Sequence, residues 1–143
     1  MIMTRRRIAI TVLSVLGIIV SGYLTYIHYS GEPIACGGSN SCELVNSSRY
    51  AFIGSLPVSA LGLAAYIMLL ILSLIKSDEE HQWPALLMFG ISLIGVMLQW
   101  YLFYIEVAVL HALCYWCISS QVIITVIFGL ALPRRTPVAE ETE

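Results

Sequence analysis

Charge is what this sequence has least of. Seven Lys or Arg and nine Asp or Glu make up 11% of the 143 residues, while 59% are hydrophobic. An ordinary globular protein carries roughly 25% charged residues. A water-soluble chain of this size would have too little charge to cover its surface. The apolar content excludes intrinsic disorder and a collagen-like fibre. A net charge of -2 gives no electrostatic reason to bind a phosphate backbone, so a nucleic-acid binder is excluded too. The length fits one domain. What remains is an integral membrane protein.

The apolar residues fall into four blocks, each long enough for a hydrocarbon core that takes about 20 helical residues. They run from Ile8 to about Ile27, from Leu56 to Ile75, from Ala85 to about Leu110, and from about Ala112 to Leu132. Backbone groups cannot stay unpaired in lipid, and no barrel-type alternation is present, so the blocks are expected to be helices. The expected fold is all-α: a transmembrane four-helix bundle in one domain, residues 1–143, with helices near 8–28, 56–75, 84–110 and 112–132. Proline is sparse and marks the edges, with Pro57 and Pro84 near helix starts and Pro133 closing the last block. Tyr23, Tyr26, Tyr29 and Trp83 fall at expected interfaces.

Basic residues set the orientation. Arg5, Arg6, Arg7, Lys76, Arg134 and Arg135 all fall on one side of four spans, leaving Arg49 across the membrane. Both termini are therefore expected in the cytoplasm of a multi-pass protein of the cell (inner) membrane. Arg5–Gly22 has the outline of a signal peptide, but its apolar run is too long and its cleavage site poor. On the outer side lies a long loop, His28–Ser55, expected to hold a short helix near Cys42–Tyr50. The second outer loop, Val109–Leu113, is short enough to make helices three and four antiparallel neighbours.

The four cysteines form two pairs: Cys36-x5-Cys42 in the long outer loop, and Cys114-Tyr-Trp-Cys117 opening the fourth block. A topology derived without them puts all four on the outer face, the side where disulfides persist. Residues three apart share a helix face with Cβ atoms about 5–6 Å apart, close to disulfide range. The free N–H groups of a helix start favour a thiolate and make it reactive. A zinc site is a poorer reading, because zinc knuckles usually use two tight C-x2–4-C pairs. Two static structural disulfides are a stronger alternative, but an aromatic-bracketed pair at a helix start argues for reactivity. Two dithiol stations on one face read as an electron relay. The loop pair can meet a soluble partner and the helix pair something dissolved in lipid. A strongly oxidising extracytoplasmic thiol catalyst sits near -120 mV, so re-oxidising it needs a sink of higher potential. A membrane quinone is such a sink.

With these residues in view, the chain resembles the vitamin K epoxide reductase family in its stand-alone prokaryotic form, over Gly17 to Gln121. The resemblance rests on Ser21-Gly-Tyr-Leu-Thr-Tyr-Ile-His28, the loop pair Cys36/Cys42, Ser47-Ser48-Arg49-Tyr50, Gly54-Ser-Leu-Pro57 and Cys114-x2-Cys117. The loop pair precedes the C-x2-C pair, the reverse of the order in the other bacterial quinone-linked disulfide-forming enzyme. The resemblance implies that Cys117 faces a quinone with Cys114 as its disulfide partner. Cys42 would exchange with Cys114, and Cys36 with a separate thioredoxin-like protein outside the cytoplasm. It also implies a quinone pocket with Ser48, Tyr50, Phe52 and Gln121. Gln121 stands where the animal enzymes have a substrate-binding tyrosine, which weighs against epoxide reduction. The implied function is quinone-dependent disulfide formation, with vitamin K epoxide or quinone reduction for the lipid's own sake as the alternative. No metal is expected.

Three further residues are candidates. Glu106 is the one charge inside a span; it either sits at the interface or relays protons to a quinone. His28 and His111, on the outer face, are weaker candidates for the same relay. Gln99, in mid-span, is expected to turn its amide into the bundle, while Trp100, Tyr101, Phe103 and Tyr104 read as packing residues.

Overall fold

The computed structural model describes residues 5–30, 49, 52–75, 82–111 and 113–132. Among them are four α-helices: α1 (Arg5–Ser30), α2 (Val58–Leu74), α3 (Trp83–Ile105) and α4 (Tyr115–Ala131). A π-helical turn, Glu106–Leu110, extends α3, and a two-residue pair of strands, β1 (Phe52–Ile53) and β2 (Leu56–Pro57), precedes α2. The expected short helix near Cys42–Tyr50 lies outside the described residues.

Each helix packs on two neighbours, α1 on α2 and α4, and α3 on α2 and α4, so the four close a ring. The buried positions of α1 show why. Ile10, Ser14, Gly17, Ser21, Leu24 and Ile27 recur every three or four residues and form one stripe. Small residues in that stripe let α2 approach closely. The opposite faces are also apolar: Ile8, Val12 and Ile19 of α1, Ile71 of α2, Leu86 and Met97 of α3, and Val122 of α4 are all exposed. Helices that are apolar on every side are those of a membrane span or of a large protein's core. Arg5–Ser30 and Trp83–Leu110 are long and apolar enough to cross a membrane; Val58–Leu74 and Tyr115–Ala131 are apolar but only 17 residues each.

Arginines at the start of α1 fix the bundle's direction. Arg7 donates from Nε and Nη2 to the carbonyl of Ser73, at 3.1 and 2.9 Å, and from Nη2 to that of Ile75 at 3.1 Å. Arg6 donates from Nε to Leu130 O, and from Nη2 to Leu132 O at 3.1 Å. The carbonyls ending α2 and α4 have no partner inside their own helices, and a cation there also suits the helix dipole. The start of α1 therefore meets the ends of α2 and α4. The opposite end of the bundle collects the end of α1, the start of α2, the π-turn and the start of α4.

That end has the most local structure. Phe52 pairs with Pro57 and Ile53 with Leu56, a hairpin that turns at Gly54, whose φ of +65° an L side chain would resist. Pro57 is then the N-cap of α2, so that helix starts at Val58, two residues later than the apolar block. α4 likewise starts at Tyr115, after Cys114 in extended geometry, because the chain must first turn back from α3. It does so through His111, at φ +52°, whose N–H closes the π-turn on Glu106 O.

Candidate redox active site

Cys114 is the N-cap residue of α4 and is fully buried among Val20, Leu24 and Ile27 of α1. Its carbonyl accepts the Ile118 N–H at 2.9 Å, the first hydrogen bond of the helix. Cys117 follows one turn later and is half-buried. Both are free thiols, and their side chains hydrogen-bond to one another. Trp116, between them, packs its ring on Tyr23 with centroids 4.5 Å apart, which anchors the C-x2-C turn against α1.

Glu106 is the finding that sequence reasoning left open. It is 3% exposed, its side chain buried inside the bundle. Its Oε2 accepts the Cys114 N–H at 3.3 Å, and its carboxyl also lies in hydrogen-bonding contact with the Cys117 thiol. A carboxylate is well placed there, because the start of α4 offers unpaired N–H groups and the positive end of the helix dipole. The π-turn beginning at Glu106 widens the helix at that point, as such turns often do at functional sites.

Cys117 and Glu106 both line a cavity of about 460 Å³ among α1, α2, α3 and α4. Its walls are almost wholly aliphatic. Polar groups enter at a few points: Ser21, Ser59, Tyr66, Gln99, Glu106, Cys117 and Ser120. Three of these form a closed network. Gln99 Nε2 donates to Ser120 Oγ at 2.8 Å, Tyr66 donates to Ser120 O at 2.9 Å, and the Tyr66 and Ser120 hydroxyls meet at 2.9 Å. Gln99 thus does turn into the bundle. Ser59 Oγ, in the first turn of α2, is buried with no hydrogen-bond partner among the described residues. The cavity wall reaches the outer surface at Met68 of α2 and Ile94 of α3, 50% and 68% exposed.

Of the residues expected in a quinone pocket, Phe52 packs edge-on against His28 at 5.0 Å, and its hairpin neighbour Ile53 is the one that lines the cavity. Gln121 is buried on α4 outside the cavity lining. Cys36, Cys42, Ser48 and Tyr50 lie outside the described residues. His28 also contacts Tyr29, and His111 is exposed at the end of the π-turn. Trp100, Tyr101 and Tyr104 point outward rather than into the bundle, each more than half exposed. Among the described residues no group of three His, Cys, Asp or Glu is close enough to hold a metal ion.

A dithiol at a helix start, beside an apolar cavity, is matched by one family description. The model of the vitamin K epoxide reductase family covers residues 8–132, most of the chain. The chain belongs to that family. Its members are membrane oxidoreductases that use quinones in general, which makes this protein a membrane oxidoreductase. The match takes in all four cysteines and every helix described above.

Proposed function

We propose that this protein is a thiol–disulfide oxidoreductase that oxidises an extracytoplasmic thioredoxin-like protein and delivers the electrons to a membrane quinone. All four helices cross the bilayer, both termini are cytoplasmic, and the redox end of the bundle faces outward. Electrons pass from the partner to Cys36 and Cys42, then to Cys114 and Cys117, then to the quinone.

The observation that carries this reading is the position of Cys117 on the wall of an aliphatic cavity whose rim at Met68 and Ile94 is exposed on the apolar surface. A ligand arriving through such a rim is itself lipid-soluble. The residues present suit a quinone. The aliphatic walls accept a ring and the first part of an apolar tail, and the few polar groups can orient ring oxygens. Ser59 Oγ, unpartnered beside the cavity, is one such group. A quinone supplies a two-electron sink. The cysteine pair supplies the electrons by closing its disulfide, and the fully buried Cys114 keeps that exchange out of water.

The test uses the full chain in lipid nanodiscs with a short-tailed quinone and a small dithiol. Cys117→Ala abolishes quinone reduction, whereas Cys36→Ala spares turnover with the small dithiol and loses turnover with a thioredoxin-like protein. Retained quinone turnover in Cys117→Ala rules out the electron path. Cys42→Ala strands a mixed disulfide between Cys36 and the partner in cells. Reduction of vitamin K epoxide in place of partner oxidation would instead favour the lipid-directed activity.

A further inference from the structure

The oxidation of a dithiol by a quinone moves two protons as well as two electrons, and the cavity has few groups able to carry them. Of its lining residues only Tyr66, Glu106 and Cys117 ionise. Tyr66 has its hydroxyl tied into Ser120 rather than into either described thiol. Glu106 touches the Cys114 backbone and the Cys117 thiol and borders the space where the ligand would lie. The cavity-lining residues near it in sequence are apolar: Leu102 and Ile105 of α3 and Leu110 of the π-turn.

We propose that Glu106 is the catalytic acid–base of this site, carrying a proton between the Cys117 thiol and a carbonyl oxygen of the cavity ligand. The proposal rests on the quinone reading above for the identity of that ligand. As Cys117 gives up its electron pair, Glu106 takes the thiol proton and passes it to the nearer quinone oxygen. The Cys114 thiol releases the second proton, through the same carboxylate, as the bond between the two sulfurs closes. Two S–H bonds break, one S–S bond and two O–H bonds form, and the two electrons lost by the dithiol are those gained by the quinone. The hydrogen bond from Cys114 N–H holds the carboxylate in place for both transfers. General acid–base groups contribute about 10²–10⁴-fold to such steps.

Glu106→Gln keeps the size of the side chain and an oxygen that can accept the Cys114 N–H, but it cannot carry a proton. With a short-tailed quinone and a small dithiol in nanodiscs, kcat is expected to fall by about 100-fold or more. KM for the quinone is expected to stay near the wild-type value. Glu106→Asp, which keeps an acid, is expected to recover a large part of the loss. A second arm needs no quinone. The infrared difference spectrum between dithiol and disulfide forms should contain a carboxyl band that disappears in Glu106→Gln and shifts in Glu106→Asp. Near wild-type kcat in Glu106→Gln overturns the proposal, and so does an infrared difference spectrum unchanged by the substitution. If wild-type protein shows the carboxyl band yet reduces no quinone, the quinone reading fails and the proton contact between Glu106 and the Cys117 thiol stands.

Discussion

The ring of Tyr66 lies against the backbone of Gly17, so close that a Cβ on the glycine would come within 2.4 Å of the ring's Cδ1 and Cε1. The contact brings α1 and α2 together in mid-bundle, and the same tyrosine reaches Ser120 of α4 through its hydroxyl. Three helices are thus positioned by one side chain, and the cavity is bounded by it. Gly17→Ala forces either the ring or the helix to move, an overpacking cost of about 1–3 kcal/mol. The expected result is a lower thermal midpoint in detergent. If the clash is the cause, Gly17→Ala in a Tyr66→Ala background costs little further, a coupling that a double-mutant cycle measures. An unchanged midpoint in the single variant would mean that the ring yields freely.

The arginine contacts at the other end make a different kind of claim. Arg7 places three hydrogen bonds on the last carbonyls of α2 through a planar fork. Arg7→Lys keeps the charge but not the fork, and Arg7→Ala loses both. Hydrogen bonds from charged groups are worth about 1.5–3 kcal/mol each when well formed, less at a partly exposed site such as this. The expected order of stability is wild type, then Arg7→Lys, then Arg7→Ala, the last lower by about 2 kcal/mol. Urea or thermal unfolding of the purified protein in mild detergent reads the order. Equal stability of Arg7→Lys and wild type would show that charge alone holds the end of α2.

Much of this arrangement is legible in the sequence, because lipid leaves so few choices. Uncharged runs of about 20 residues announce helices, and Pro57 and Pro84 mark their starts. The C-x2-C spacing places Cys114 and Cys117 at a helix start. Gln99 faces inward because a mid-span amide must find a partner. Other features depend on geometry that no spacing encodes. Glu106 reaches the Cys117 thiol and the Cys114 N–H where the helix widens into a π-turn and His111 takes a left-handed conformation without being glycine. A regular 3.6-residue helix read through Leu110 misses both. The cavity is equally illegible, since it arises from small residues on facing helices, such as Gly62 and Ala65 of α2, rather than from any motif. Phe52 and Gln121 are each next in sequence to a cavity-lining residue, Ile53 and Ser120, and the sequence alone does not tell which of two neighbours lines it.

The small residues on α2 give the sharpest handle on the cavity. Ala65 lines it one residue before Tyr66, on the wall away from the cysteines' own helix. Replacing it with tryptophan fills a large part of a space of about 460 Å³ with a side chain of comparable ring size to a quinone head. The cysteines lie on α4 and are not displaced by that change, so disulfide exchange with a small dithiol should continue at close to the normal rate. Quinone reduction should instead show a KM raised about tenfold or more, equivalent to losing about 1.4 kcal/mol of binding. The two rates are separable in one preparation: thiol trapping reports exchange at Cys114 and Cys117, and absorbance of a short-tailed quinone reports its reduction. A filled cavity that leaves KM unchanged would mean that the quinone meets Cys117 from another side of the bundle, and the pocket between α2 and α3 would then have no part in electron transfer.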